Sequence, residues 1–178
     1  MNNHQIKTKR LLLRPIITGD IDHIFAGLSH PDVIKYYGVS FMTLEATQEQ
    51  MDWYADLEKN NKGRWWAVCS PDGKTFYGGG GLNDLNRDKK QAEIGFWLLP
   101  EHWGKGYMTE AMPAICSYAF ANMGINRIEG FVETDNVNCK KAMAKLQFQL
   151  EKTMPDCEEK NGKLISCLLY TSPSPRDS

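Results

Sequence analysis

Residues 100–110 read "PEHWGKGYMTE". The apolar run "EIGFWLL" (93–99) stands before them, and "AMPAICSYAFANMG" (111–124), with apolar residues at helical spacing, stands after. The stretch therefore lies where a strand gives way to a helix. A helix starting there leaves its first N–H groups without partners, and the helix dipole gives them partial positive charge. Glycines at 104 and 106 let an anion approach several of those amides at once, as phosphate and pyrophosphate do. Lys105, between them, adds charge or simply faces solvent. The spacing is not that of a P-loop, because no Gly-Lys-Ser/Thr follows a first glycine by five, and it is not GxGxxG, because position 109 is Thr109. Taken alone, a structural turn and an anion site fit these glycines equally well.

Working outward, "KTKRLLLRPI" (7–16) reads as a strand, and Thr18 or Asp20 caps a helix carrying Ile21, Ile24, Phe25 and Leu28 on one stripe. "PDVIKYYG" (31–38) reads as a helical turn started by Pro31 and stopped by Gly38. Thr43 caps a helix over 44–60 with Met51, Tyr54 and Leu57 on one side. The period then changes. Residues 64–70, 75–82 and 91–99 read as strands, the first two joined by an Asp-Gly turn. Helix 108–124, ended by Gly124, strand 126–133, helix 138–146 and strands 148–154 and 163–170 follow. This order gives an α/β domain with a mixed sheet. The glycines at 78–81 mark a bulge or a close backbone approach, or let an acceptor chain lie along the sheet. Pro113 is cheap only in a first turn, which predicts a regular helix from about Thr109; a mild kink is the other reading.

Composition narrows the class. A chain of 178 residues with 42% apolar residues builds a core without metals or disulfides. A net charge of −1 argues against a nucleic-acid coat or a polybasic membrane patch. Five cysteines without a CxxC pair suggest a reduced, cytoplasmic setting, and four scattered histidines lack zinc-ligand spacing, so no metal is expected. No apolar run approaches a membrane span. The tail "TSPSPRDS" (171–178) reads as a disordered terminus or a non-native scar, and "CLLY" (167–170) fits either the last strand or that same scar.

"EIGFWLLPEHWGKGYMTEA" and "AFANMGINRIEGFVETDNVNCKKAMAKLQF" resemble motifs A and B of the GCN5-related N-acetyltransferase (GNAT) superfamily. The N-terminal "TKRLLLRPIITGDIDHIFAGLSHPDVIKYYG" is similar to its RimJ/RimL-type ribosomal-protein N-acetyltransferase branch, and the likeness covers residues 6–153. The resemblance implies one GNAT-like domain over residues 1–170. Its sheet is mostly antiparallel, with six or seven strands, four or so helices and splayed central strands. It implies acetyl-CoA as acetyl donor. The amides of Gly104, Lys105, Gly106, Tyr107, Met108 and Thr109, beside Trp103, would hold the pyrophosphate. Phe96, Trp97 and Leu98 would offer backbone groups to the pantetheine arm, Asn136 would bond that arm, and the thioester would lie between strand 93–99 and "NRIEGFVE". Three positions depart from the family pattern. Met108 stands where a small residue is usual, Cys139 where a serine is usual, and Met143 where many members carry an acid tyrosine.

Acetylating an amine requires its neutral form, and an α-amine titrates near 8 and a lysine near 10.4, so a base helps. Glu93 is the first candidate base, acting through water; a solvent-facing strand residue is the alternative. Glu133 and Asp135 are turn and cap residues or further acids. Cys139 is a weak proton donor to the leaving thiolate or a packing substitution. Trp53, Trp65, Trp66 and Trp97 are core residues or line an acceptor pocket. The expected reaction is acetyl transfer to a protein N-terminal amine or a small-molecule amine, by a monomer or homodimer binding neither nucleic acid nor membrane. The competing readings are a non-catalytic acyl-CoA-binding regulatory module on the same fold and a nucleotide-binding module.

Overall fold

The computed structural model describes residues 4–160 and 162–172. Its elements are β1 (Ile6–Lys7), β2 (Leu12–Pro15), α1 (Ile21–Leu28), α2 (Pro31–Ile34), α3 (Leu44–Lys59), β3 (Arg64–Cys69), β4 (Phe76–Asn86), β5 (Gln91–Leu98), α4 (Tyr107–Asn122), β6 (Arg127–Glu133), α5 (Val137–Lys145), β7 (Gln149–Lys160) and β8 (Lys163–Ser172). The strands form one sheet in the order β1-β2-β3-β4-β5-β6-β8-β7. The eighth strand beyond the expected count arises because the first run breaks in two: Thr8 N–H bonds Leu11 O at 3.0 Å and folds the chain back on itself. Thr171 and Ser172, the first two residues of the expected tail, extend β8 against Glu129 and Ile128. Residues 173–178 of the expected tail lie outside the described residues.

β3 shows how the sequence builds two layers. Successive side chains point to opposite faces. Trp66 and Val68 join the core beneath α4, whereas Trp65, Ala67 and Cys69 join the core beneath α1 and α3. The sheet is thus covered on both sides. α3 begins on Thr43, whose hydroxyl accepts from Ala46 N–H at 3.0 Å, and it buries Met51, Tyr54 and Leu57. α4 buries Ala111, Ile115 and Ala119, and Gly124 follows its end with φ +67°.

The glycine run 78–81 is regular strand, not a bulge. The register shift lies just before it, between Val68 and Cys69 on the partner strand. β4 is hydrogen-bonded on both sides, so no acceptor chain can add to it. Side chains are excluded along the run by neighbouring backbone at Gly78 and Gly81 and by large rings at Gly79 and Gly80. A Cβ at Gly79 would sit 2.9 Å from Trp97 Nε1, and one at Gly80 would sit 2.6 Å from the Phe96 ring. Gly27 of α1 meets the same indole, its Cβ position lying 2.1 Å from Trp97 Cζ3. Helix propensity favours Gly27→Ala by about 1 kcal/mol, but overpacking costs about 1–3 kcal/mol. The clash wins, and thermal denaturation should show this variant melting below the wild type.

Pro113 departs from its expected place. α4 starts at Tyr107, so the proline stands in the second turn, exposed, and Thr109 O loses its partner amide. A second difference concerns the cysteines. Cys157 and Cys167 are joined across β7 and β8 with a Cα–Cα separation of 6.1 Å, a pairing that no spacing motif announces.

The feature that positions the site is a divergence. β5 and β6 run parallel and pair at Gln91–Arg127, Ala92–Ile128 and Glu93–Glu129. Among the described residues no β5–β6 pairing follows Glu93, so the two strands separate toward their C-terminal ends.

Candidate active site

A cleft of about 1770 Å³ opens in this divergence. Its wall brings together Glu93, Phe96, Trp97 and Leu98 from β5, Trp103, Gly104, Gly106, Tyr107, Met108 and Thr109 around the start of α4, and Asn136 and Cys139 at the start of α5. Lys105 alone of the expected site residues does not line it: its side chain is exposed, and its carbonyl accepts from Arg10 Nη1 at 2.7 Å.

The turn before α4 has the form that an anion requires. Gly104 and Gly106 adopt φ of +76° and +80°, the left-handed region that favours glycine. A Cβ at Gly104 would meet nothing within 4 Å, so the backbone there is open to a ligand. Gly106 is the N-cap, and no side chain caps the helix. The amides of Tyr107, Met108 and Thr109 therefore point outward without intrahelical partners. Met108 packs against the core beneath α4 rather than filling the cradle. Trp103 donates from Nε1 to Leu98 O at 2.9 Å, tying the turn to the end of β5.

The residue that shapes this turn is Arg10, to which no sequence pattern pointed. Its Nε donates to Glu110 Oε1 at 2.7 Å, and its guanidinium lies 5.0 Å above the Tyr107 ring, which stacks on Tyr77 at 4.6 Å. Thr8 Oγ1 also donates to Glu110 Oε2. Partial burial pushes the Glu110 carboxyl up, but Thr8 and Arg10 outweigh it and hold it below its ordinary value. That stabilisation is present above the ordinary carboxyl pKa and is lost as pH falls through the depressed value. Arg10→Ala should raise the KM for acetyl-CoA several-fold, with kcat nearly unchanged, in steady-state kinetics. These contacts span about a hundred residues of sequence, and no local signal announces them.

Glu93 is half-buried. Its Oε2 accepts from Asn83 Nδ2 at 3.1 Å, while Asn83 Oδ1 accepts from the Trp65 indole at 3.2 Å. Burial raises the Glu93 carboxyl above its ordinary value, Asp84 and Glu129 add to this, and Asn83 opposes it. Tyr37, in the same wall, is raised well above its ordinary value, by burial first and then by Tyr54 and Glu93, so its phenol stays protonated. The pair "YYG" (36–38) just after a short helix was the one sequence hint of it.

Asn136 caps α5, its Oδ1 accepting from Cys139 N–H at 3.2 Å, which leaves its Nδ2 as the donor for a ligand. Burial pushes the Cys139 thiol up to about 11. A free thiol titrates near 8.5, so direct proton transfer from Cys139 to a departing thiolate runs uphill, whereas a hydrogen bond from it does not. Met143 is buried against Gly130. Trp65, Trp66 and Trp97 are core residues, and Trp53, Trp65 and Trp97 also border the cleft. Among the described residues no cluster of three or more His, Cys, Asp or Glu side chains is placed to hold a metal ion. No helix among them is long and apolar enough to cross a membrane.

The sequence pattern of the acetyltransferase (GNAT) domain matches residues 10–149, which takes in the splayed strands, the glycine turn and the α5 cap. The chain belongs to the GNAT acetyltransferase family. This acetyltransferase is 32% identical to the uncharacterized N-acetyltransferase YoaA of Bacillus subtilis, over 97% of its own length and 98% of the relative's. Its fold superposes on RimL, a ribosomal-protein α-N-acetyltransferase solved with coenzyme A, with a TM-score of 0.86 and 18% identity over 96% of this chain and 98% of that one. It superposes on the spermidine N-acetyltransferase of Vibrio cholerae, solved with coenzyme A and spermine, with a TM-score of 0.83 and 20% identity over 94% and 97% of the two chains. As a GNAT acetyltransferase it draws its acetyl group from acetyl-CoA, and it shares its fold with RimL. The open amides before α4 and the unpaired wall of β5 fit that donor.

Proposed function

We propose that this acetyltransferase acetylates a primary amine that arrives as a cation, either the N-terminal amine of a protein or peptide or a small-molecule amine. The observation that carries this reading is the charge of the cleft. Asp32, Glu49, Glu93, Glu133 and Glu158 border it, against Lys35 among its described lining residues and the Lys160 ammonium paired with Glu133. A low-dielectric cleft lined by one sign of charge concentrates ligands of the other sign. The named acceptors of the two structural neighbours, a protein N-terminus and spermidine, carry such amines.

In this reading the amides of residues 104–109 bind the pyrophosphate, and Phe96, Trp97 and Leu98 guide the pantetheine arm into the divergence, where Asn136 Nδ2 bonds it. The acceptor's ammonium gives its proton through water to Glu93. The neutral amine attacks the thioester carbonyl, the C–N bond forms as the C–S bond breaks, and the extra proton on the new amide nitrogen passes to the departing thiolate, which leaves as the CoA thiol with the Cys139 S–H hydrogen-bonded to its sulfur. The Glu93 carboxyl, raised by burial, is a better base for this step than an ordinary surface carboxylate.

The experiment is thiol release from acetyl-CoA with a panel of peptides, diamines and aminoglycoside-like amines, beside titration calorimetry with acetyl-CoA, CoA and ATP. Release with at least one cationic amine is expected, together with binding of CoA and not of ATP. Binding of CoA with no release from any acceptor would support the regulatory module instead.

A further inference from the structure

Lys160 ends β7 and reaches across the flank of the cleft. Its Nζ donates to Lys35 O at 2.8 Å, to Tyr37 O at 3.0 Å and to Glu133 Oε2 at 3.0 Å. Three oxygens therefore receive the three N–H groups of one ammonium. Two come from the loop after α2 and one from the end of β6. The Glu133 side chain is 8% exposed, and a carboxylate so far from water needs a cationic partner. Lys35, Tyr37 and Glu133 all border the cleft.

The cation that fills this cage is a partly exposed lysine side chain at the end of a hairpin that the Cys157–Cys167 disulfide staples three residues away. β7 is exposed along nearly its whole length and pairs with β8 alone among the described strands. Swinging the Lys160 side chain out leaves the Lys160–Lys163 pairing in place, and its ammonium is well solvated once free.

We propose that Glu133 and the carbonyls of Lys35 and Tyr37 form a subsite for a primary ammonium, which Lys160 occupies in the free enzyme and which the second ammonium of a dicationic acceptor takes over. The reacting amine lies toward Glu93, and the second cation, on a small diamine or a lysine side chain near a peptide's N-terminus, anchors in the cage. Because Lys160 competes from within the same chain, it sets the acceptor concentration at which dications bind. This rests on the acceptor reading above.

Lys160→Ala vacates the cage. In thermal unfolding without acetyl-CoA, 1,4-diaminobutane should stabilise this variant at concentrations that leave the wild type unmoved. In kinetics its KM for a dicationic acceptor should fall about tenfold, while its KM for butylamine stays the same. The dications tried are 1,4-diaminobutane and a peptide with lysine at its second position, and the one showing this split identifies the source of the second charge. Glu133→Gln, in the otherwise wild-type chain, should raise the KM for that dication far more than for butylamine, and it decides the matter should Lys160→Ala not fold. Equal melting of Lys160→Ala and wild type with 1,4-diaminobutane, or equal KM changes for mono- and dications, would overturn the proposal. The melting measurement involves no turnover, so it stands even if no amine is acetylated and the acceptor reading fails.

Discussion

Gly106→Glu should abolish measurable acetyl-CoA binding. Three costs act at one position. The backbone there has φ +80°, where a side chain costs about 1–2 kcal/mol. The added side chain enters the turn beside Arg10, whose Nη2 lies 3.2 Å from the Cβ position, and competes with Glu110 for the guanidinium. With the pyrophosphate where we propose it, the new carboxylate would face it, and two like charges about 4 Å apart repel by roughly 4 kcal/mol at an effective dielectric near 20. Half of that repulsion alone weakens binding more than tenfold, so calorimetry should show at least a hundredfold loss. Gly106→Ala carries the strain without the charge and should lose much less. If Gly106→Glu bound acetyl-CoA normally while folded by circular dichroism, the pyrophosphate could not lie against these amides.

Glu93→Gln should lower kcat about a hundredfold or more, the range of general-base contributions, and leave the calorimetric Kd for acetyl-CoA unchanged. In the proposed role the carboxyl works ionised, so wild-type kcat/KM should rise with pH through its raised pKa and level off above it. The variant should lose that limb. Stability should move the other way. A carboxyl whose folded pKa is raised by burial costs stability when ionised and recovers it as pH falls below the folded value. Glu93→Gln removes this cost and keeps the Asn83 contact within reach, so at neutral pH the variant should melt above the wild type. A slower and more stable enzyme is the expected signature of a group strained for function. An unchanged rate would remove Glu93 from the chemistry.

These two positions also show where sequence reasoning reached and where it stopped. Gly104 and Gly106 announced a strand-to-helix turn that an anion could enter because the signal is local: two glycines, a preceding apolar strand and a following helix all lie within thirty residues. The same locality made the elements legible, since Thr43 and Gly124 mark helix ends by chemistry confined to one turn. Pro113 left two readings open, a first-turn place and a mild kink, for the converse reason. The first-turn place fails because α4 is held by Ala111, Ile115 and Ala119 in the core, which outweighs one lost backbone bond. The glycine run 78–81 was ambiguous because its cause, the backbone of neighbouring strands and the rings of Trp65, Phe96 and Trp97 that they carry, is absent from the run itself.

Period, caps and turn residues by themselves determined the order of strands and helices, the mixed α/β class and the turn that an anion can enter, because each depends on residues a few positions apart. Only the tertiary structure decided that Arg10 would brace that turn from a hundred residues away, that Asn83 would hold Glu93 against the Trp65 indole, and that Lys160 would reach Glu133. Those pairings arise when strands far apart in the chain are laid side by side, and the energy that selects them comes from burying the sheet between its two helical layers, not from any spacing written along the chain.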